Sequence, residues 1–504
     1  MQLLSKLLNG IDIIDRIGSL DIPIAGVTDD SREVRDGYVF ACMSAVYESQ
    51  YALWTYNTDG HDYIPAAIKN GAAAILSQRP FQPGWAADRV TFAQVPDARY
   101  ALAKVAAQFY GNPSSKLMVV GITGTNGKTS TVYLARSVLA AANLKTAILG
   151  TIVQRVAGSD MPAGMTTPEA HKLQKMLSDA VAEGLDSVVM EVSSHALELK
   201  RPDGIEFDVA VFTNLTQDHL DFHRDMDGYL AAKTRLFSDL MKRDKRTFAI
   251  INVDDPAGKR IIQETNAEVI TYAVQGEADL RVLDFQSSVE GLVFRASIRG
   301  DREVEVKLQL SGEYNLYNAL AALGVGLSQG LDLDVIKSGL ESVNLVPGRF
   351  ERVDCGQDYT VVVDYAHTPD ALERVLQTAG KIAKGRLITV FGCGGDRDRT
   401  KRPLMGRVAT TLSDYSIVTS DNPRTEDPME IIFQIKAGID SSLPEGDKYE
   451  LIPDRRSAIQ KAIEMAEKGD MIVIAGKGHE NYQILKDGRI HFDDREVARE
   501  FIGS

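Results

Sequence analysis

Runs rich in Val and Ile recur along this chain, with helical periodicity between them. KLMVVGIT, DSVVMEVSS, FDVAVFTNL and TFAIINVDD lie between about residues 117 and 255. TVVVDYAHT, RLITVFGCGG, YSIVTSDNP and MIVIAGKGHE lie between about 359 and 478. Continuous apolar strands alternating with helices indicate parallel sheets covered on both faces. The chain is therefore read as α/β with two such sheets. Between them, VLDFQSS, LVFRASI and VEVKLQL (residues 282–310) alternate in polarity, as antiparallel strands at the edge of the first sheet would. A Pro-Gly break falls near 347. The first ~100 residues form a smaller α/β unit ending before the DARYALAKVAAQFY helix. At roughly 100–200 residues per domain, 504 residues suit three domains, expected over 1–100, 101–345 and 346–504.

Nearly every apolar run ends in a polar cluster: Thr125–Lys128, Glu191–His195, Asn214–His219, Asp364–His367, Asp396–Arg399, Asn422–Arg424 and Lys477–Glu480. Ligands of open α/β sheets sit beyond the carboxyl ends of the strands. Histidines 195, 219, 223, 367 and 479, five of the eight in the chain, fall in or beside these clusters, and randomly solvated histidines would not sort that way. Two units with loaded strand ends point to one site shared between domains, which predicts closure on substrate.

Several function classes are excluded early. A net charge of −14 argues against a general nucleic-acid binder, which needs a basic surface. No apolar run approaches the ~18 residues of a membrane span, and the N-terminus lacks the pattern of a signal peptide. The three cysteines, Cys42, Cys355 and Cys393, are scattered and odd in number, so neither a disulfide framework nor a zinc site is expected. A cytoplasmic protein, expected as a monomer, fits these features.

GITGTNGKTS follows a strand and opens a helix, the context of a phosphate-binding loop. Glycines let backbone N–H groups approach phosphates, and the helix N-terminus adds about half a positive charge. Lys128 would reach the β- and γ-phosphates of ATP, and Thr129 would hold Mg²⁺. The strict motif needs Gly at position 122, which is Ile here; the glycine is one residue early, at 121. A ligand-free glycine turn is the competing reading. Glu191, at a strand end, suits Mg²⁺ beside a triphosphate; otherwise it is a satisfied loop carboxylate. Asp218, His219, Asp221 and His223 resemble a metal cluster, yet match no zinc spacing. Lys233 lies on an apolar helix face, where a lysine usually snorkels to solvent.

TGTNGKTS, MTTPEAH, MEVSSHAL, TNLTQDHLDFH, YLAAKTRLF, YNLYNALAA, VPGRFE, VDYAHTPDAL, FGCGGDRDRTKRP, DNPRTEDP and GKGHE occur in this order. Together they resemble the ATP-dependent Mur ligases of bacterial cell-wall synthesis, and within that family the ligases that add diaminopimelate. The resemblance runs from about 111 to 480 and is thinner over the first 100 residues, on DDSREVRDGYVFA and DGHDYI. It implies a UDP-sugar domain, a central P-loop-type ATPase domain with a mostly parallel sheet, and a C-terminal Rossmann-like domain. It also implies a reaction: ATP phosphorylates the D-Glu carboxylate of UDP-N-acetylmuramoyl-L-alanyl-D-glutamate, and the amine of meso-diaminopimelate attacks the acyl phosphate.

Position by position, the resemblance implies that Gly124, Thr125, Asn126, Gly127, Lys128, Thr129 and Ser130 hold the ATP phosphates. Asn315, Arg349, Asp364 and His367 would meet its adenosine end. Thr129 and Glu191 would bind one Mg²⁺; His219 and a carbamylated Lys233 (N6-carboxylysine) would bind a second. Ser31 would belong to the uridine pocket, and Thr166, Thr167, Ser193 and Arg201 to the muramoyl-dipeptide. Arg397, Asp421, Asn422, Pro423, Arg424, Gly476 and Glu480 would hold diaminopimelate. Its distal carboxylate suits the Arg424 fork, whereas lysine lacks that group. The competing reading pairs Arg424 with Glu426 or Asp427 in a turn.

ACMSAVYESQYALWTYNTD, residues 41–59, departs from the family. It is longer than usual, aromatic and free of Gly. It would line the uracil pocket through Tyr56, Asn57 and Thr58, or form a locally packed helix. Folylpolyglutamate synthase shares the P-loop and the modified lysine, but SDNPRTEDP, GKGHE and the N-terminal unit argue against it. A P-loop ATPase driving motion needs a strand-end Asp, where this chain has Glu191 followed by Ser-Ser-His.

Overall fold

The computed structural model describes residues 2–85, 90–156, 159–162, 165–242 and 245–503. Three sheets of five or more strands carry most of the described residues. The first orders its strands Asp15–Ile17, Thr91–Gln94, Ala72–Ser77, Tyr38–Ala41 and Gly26–Thr28, antiparallel only at the first pair. The central sheet has eleven strands. Its heart is parallel: Thr146–Leu149, Ser187–Glu191, Met118–Thr123, Val209–Phe212, Phe248–Asn252 and Glu268–Ala273 lie side by side. The alternating segment forms the antiparallel edge expected of it, through Leu280–Ser288, Gly291–Ile298 and Arg302–Leu308. In the third sheet Thr360–Asp364, Met471–Ala475, Leu387–Phe391, Tyr415–Val418 and Tyr449–Leu451 are parallel, with Glu351–Val353 antiparallel at one edge.

Burial explains the unbroken apolar runs. Val120 and Ile122 face one layer, with Val138, Leu316 and Leu320; Val119 faces the other, with Leu173, Leu177 and Phe207. Both faces of the strand are dry, so polarity survives only at its end. The third sheet is likewise covered on both faces.

Two expectations need correcting. The helix Ala98–Phe109, read as lying beyond the first unit, buries Ala101, Leu102 and Val105 in the core of the N-terminal sheet with Val39, Ala74 and Leu76. Its apolar stripe has that sheet to cover, so the unit's core continues past residue 100. Residues 41–59 form no helix. They hold a hairpin, Val46–Glu48 against Leu53–Thr55, whose β-branched and aromatic residues favour a pleated strand.

The Arg455–Asp494 pair joins two helices of the third unit. Both side chains are fully buried and meet through Nε–Oδ1 at 2.8 Å and Nη2–Oδ2 at 2.7 Å. Arg455 Nη2 also donates to the carbonyl of Ala475 at 3.0 Å, the last residue before GKGHE. Asp494→Ala leaves a guanidinium buried and unpaired. It should lower stability by about 3–5 kcal/mol, read from urea unfolding; a loss under ~1 kcal/mol would mean that the pair behaves like a surface one.

Candidate active site

Strand Met118–Thr123 sits where the connections of the central sheet diverge, between Ser187–Glu191 and Val209–Phe212. It runs into Gly124–Gly127, and helix Lys128–Ala141 starts at once. Gly124 has φ +148, and a Cβ there would lie 1.8 Å from the Thr213 hydroxyl oxygen. Gly121, the glycine one place early, serves packing: its Cβ would strike the Phe207 ring at 2.6 Å. The departure from the strict motif therefore lies in the strand, beneath the loop. Lys128 Nζ folds back onto the carbonyls of Gly124 (2.9 Å) and Thr125 (2.8 Å).

Thr129 donates to Glu191 Oε1 at 3.0 Å, and both are buried. Thr151 was not singled out from sequence, though it follows an apolar run. Its N–H donates to Oε1 at 2.8 Å and its hydroxyl to Oε2 at 3.0 Å. Three of the carboxylate's roughly four lone-pair positions are thus used by the described residues. Arg349 crosses from the third unit to donate to Thr129 Oγ1 at 3.0 Å. Among the described residues no three His, Cys, Asp or Glu side chains converge as metal ligands. The hydroxyl–carboxylate pair beside the phosphate loop fits Mg²⁺, which takes few protein ligands and completes its shell with phosphate and water.

Lys233 does not snorkel. It is 1% exposed, and its Nζ donates to the Gly124 carbonyl at 2.9 Å, the same carbonyl that Lys128 uses. Burial first, then the Lys128 charge, push its amine well below the usual lysine range. Nearby, the His195 and His219 rings lie 4.6 Å apart, and Phe222 stacks on His195 at 4.2 Å. Burial lowers His219 to about 4, with Asp218 opposing the shift. His219 adopts φ +57. The His223 side chain is buried, and its ring nitrogens have no hydrogen-bond partner among the described residues.

The hairpin of residues 46–55 docks on this cluster. Tyr47 and Ser49 hydroxyls donate to Glu198 Oε1 at 3.0 and 2.6 Å, three residues along the helix from His195. Trp54 lies 5.9 Å from Phe222, and Ala52 bridges His223. The aromatic composition flagged in the sequence belongs to this contact between units.

A cavity of about 390 Å³ separates the central and third units. Asn126, Gly127, Thr129, Ser130, Arg349, Asp364 and His367 line it. Asp364 accepts N–H groups of Phe350 (2.7 Å) and Ala366 (2.8 Å). Gly124, Thr125 and Lys128 lie in the loop behind that lining, and Asn315 lies beneath it. Asn315 Oδ1 accepts from Asn318 Nδ2 at 2.8 Å, and Asn318 does line the wall. The spacing in YNLYNALAA, one helical turn, carried that signal. Asp370 was also missed: it accepts from Asn126 Nδ2 at 2.8 Å across the units.

Thr166, Thr167, Ser193 and Arg201 gather beside Glu191. Thr166 Oγ1 is 3.1 Å from Thr151 Oγ1; Thr167 Oγ1 donates to the Glu191 carbonyl at 2.9 Å and accepts from Ser193 N at 3.1 Å. Arg201 donates to the Thr167 carbonyl at 3.2 Å and pairs with Glu169 at 2.9 Å. Ser31 lies in the turn after strand Gly26–Thr28 of the N-terminal sheet, its carbonyl accepting from Asn70 Nδ2 at 2.9 Å.

Arg424 is half-buried with φ +53. Its Nη1 donates to the Gly395 carbonyl at 2.8 Å, and no carboxylate among the described residues pairs with it. Glu426 is bound instead by Arg402 and Arg399, and Asp427 caps the next helix. Arg402's hydrogen bonds hold Glu426 down to about 2 against an ordinary 4.5. What this pair adds to stability is thus complete above pH 4.5 and lost as pH falls towards 2. Arg397 is close enough to Arg424 for the two cations to repel. Asn422 Nδ2 donates to Glu480 Oε2 at 2.8 Å. Asp421 Oδ2 is buried without a hydrogen-bond partner among the described residues, and a Cβ on Gly476 would meet it at 2.7 Å. Pro423 sets its carbonyl where only Gly395 allows it, 1.9 Å from the Cβ that a side chain there would carry.

Comparison with known proteins follows the same division. The family description "Mur ligase family, catalytic domain" matches residues 23–110, "Mur ligase middle domain" 122–326, and "Mur ligase, glutamate ligase domain" 348–478. The chain is 47% identical over 499 residues to UDP-N-acetylmuramoyl-L-alanyl-D-glutamate–2,6-diaminopimelate ligase of Syntrophomonas wolfei, covering 99% of each. It is 48% identical over 500 residues to the protein of that name from Geobacter metallireducens, covering 96% of this chain and 95% of the other. A solved structure of a ligase of that name aligns with TM-score 0.67 and 33% identity, covering 100% of this chain and 99% of the other. The folylpolyglutamate synthase of Mycobacterium tuberculosis shares the fold at TM-score 0.61 and 22% identity, covering 74% of this chain and 91% of its own.

Gly124→Ala places a methyl group on the Thr213 hydroxyl at a backbone angle that alanine avoids. ADP affinity, read by calorimetry, should fall at least about tenfold (~1.4 kcal/mol); unchanged affinity would remove the loop from nucleotide binding.

Proposed function

The chain belongs to the Mur ligase family and is an ATP-dependent ligase of peptidoglycan precursor synthesis, and from that premise we propose that it joins meso-diaminopimelate to the D-Glu carboxylate of UDP-N-acetylmuramoyl-L-alanyl-D-glutamate. The observation that carries the amine's identity is Arg424, a half-buried guanidinium with no carboxylate of its own beside Asn422 and Glu480. A substrate carrying both carboxylate and ammonium at its far end satisfies Arg424 and Glu480 together. Lysine would leave the guanidinium unpaired, and sites built on a polar group reject analogues lacking it by about 10⁴–10⁵.

A carboxylate at neutral pH is a poor electrophile. Transfer of the γ-phosphoryl group to the D-Glu carboxylate oxygen makes a mixed anhydride with phosphate as leaving group. The neutral amine then attacks the acyl carbon, the tetrahedral adduct loses a proton from nitrogen, and it collapses by breaking the C–O bond to release inorganic phosphate. Lys128 and the loop N–H groups hold the phosphates where negative charges must meet. Asp364, Arg349 and His367 orient the nucleoside end, with Asn315 acting through Asn318. Thr166, Thr167, Ser193 and Arg201 take the muramoyl-dipeptide, and Ser31 the uridine. Thr129 and Glu191 would hold one Mg²⁺, and His219 with Lys233 a second, supplying charge neutralisation at the phosphates.

Lys233 serves as an N6-carboxylysine on this reading. Its buried amine favours the uncharged form, which is the form that adds CO₂ with loss of a proton. The modification also removes one of two amines that compete for the Gly124 carbonyl. The protein works in the cytoplasm as a monomer, in three domains parted near residues 110 and 346.

Phosphate release with ATP, Mg²⁺ and the UDP-muramoyl-dipeptide tests the reaction. Release is expected with meso-diaminopimelate and not with L-lysine or without amine. Release with lysine would overturn the role of Arg424, and amine-independent release would favour a simple ATPase. Lys233→Ala should lose at least about 10²-fold in kcat and regain part of it with added short carboxylates; the absence of any rescue would count against the carbamate.

A further inference from the structure

Lys477 lies inside GKGHE, between two residues already placed at the amino-acid end of the site. Its side chain is fully buried. Nζ donates to Glu480 Oε2 at 3.0 Å and to Asn422 Oδ1 at 3.2 Å. It also lies 5.4 Å from the centre of the Tyr482 ring. Two of the ammonium's three donors go to these oxygens, and the buried charge also has an aromatic face nearby.

The neighbours are locked by these bonds. Asn422 Oδ1 also accepts from Ile484 N at 2.9 Å, which fixes the amide so that Nδ2 faces Glu480. Glu480 Oε2 therefore receives Asn422 Nδ2 and Lys477 Nζ together. The Tyr482 hydroxyl also hydrogen-bonds the Glu480 carboxylate. Oε2 is the oxygen that Lys477 anchors.

Resting on the diaminopimelate reading above, we propose that Lys477 is a positioning residue for amino-acid specificity: it anchors Glu480 Oε2 and the Asn422 amide, so that the Glu480 carboxylate is aimed at the distal ammonium of the incoming amino acid. Lys477 acts through Glu480, and Arg424 acts separately on the distal carboxylate. The two recognitions can be separated with analogues. 2-Aminopimelate keeps the distal carboxylate and lacks the distal ammonium, whereas lysine does the reverse.

The test compares kcat/KM for meso-diaminopimelate, 2-aminopimelate and L-lysine in the unmodified enzyme, Lys477→Met and Lys477→Gln. KM for ATP serves as the check on folding. The unmodified enzyme should prefer diaminopimelate to 2-aminopimelate by at least about tenfold, and Lys477→Met should bring that ratio to within about twofold. The preference over lysine and KM for ATP should stay within about threefold of the unmodified values. A general disturbance of the site would lower all three substrates together and overturn the inference, as would unchanged discrimination in an active variant. If Lys477→Met does not fold, Lys477→Gln carries the same expectation. Absence of diaminopimelate-dependent turnover in the unmodified enzyme would overturn the substrate reading, and this inference with it.

Discussion

A parallel strand covered on both faces has one place for a polar side chain, its carboxyl end. That constraint organises this protein. Val119, Val120 and Ile122 are all buried, in opposite layers, and the chain becomes polar only at Thr123–Lys128. Glu191, Asp364 and Asn422 occupy the corresponding ends or exits of other strands. Because burying an unpaired carboxylate is costly, each such group is tied by local donors: Glu191 by Thr151, Asp364 by the N–H groups of Phe350 and Ala366.

The same constraint creates a problem of charge. Lys128 and Lys233 both reach the Gly124 carbonyl, two amines where one oxygen accepts. Burial depresses both. A phosphate loop needs cations when nucleotide is bound and tolerates few without it. A lysine that can exchange positive for negative charge by modification suits that place. At the other end of the site, Arg397 and Arg424 are close enough to repel, with Asp221 and Asp396 partly offsetting the Arg397 charge.

The three units are not joined by linkers alone. Arg349 and Asp370, on the third unit, bond Thr129 and Asn126 on the central one. The hairpin of residues 46–55 joins the first unit to the second through Glu198, Phe222 and His223. Its aromatic residues buttress Phe222, which stacks on His195, which packs on His219. An unusual stretch of the N-terminal unit thus braces the histidine proposed to work in the central one.

The sequence by itself determined the class of fold, the antiparallel edge of the central sheet, the phosphate loop and the residues at the strand ends. These rest on local periodicity and on glycines and charges at fixed offsets, which the chain carries without knowledge of its partners. It also carried Arg424 as a proposed anion binder, and left open whether Glu426 would pair with it. Only the tertiary structure gives Glu426 to Arg402 and Arg399, from a neighbouring loop and helix. It likewise decided that Lys233 is buried, that helix Ala98–Phe109 covers the first sheet, that residues 46–55 form a hairpin, and that Thr151, Asn318 and Lys477 hold the residues read as functional. The physical reason is common to all of these. A side chain's environment is set by what packs against it across tens or hundreds of residues of chain, and no local pattern records that partner.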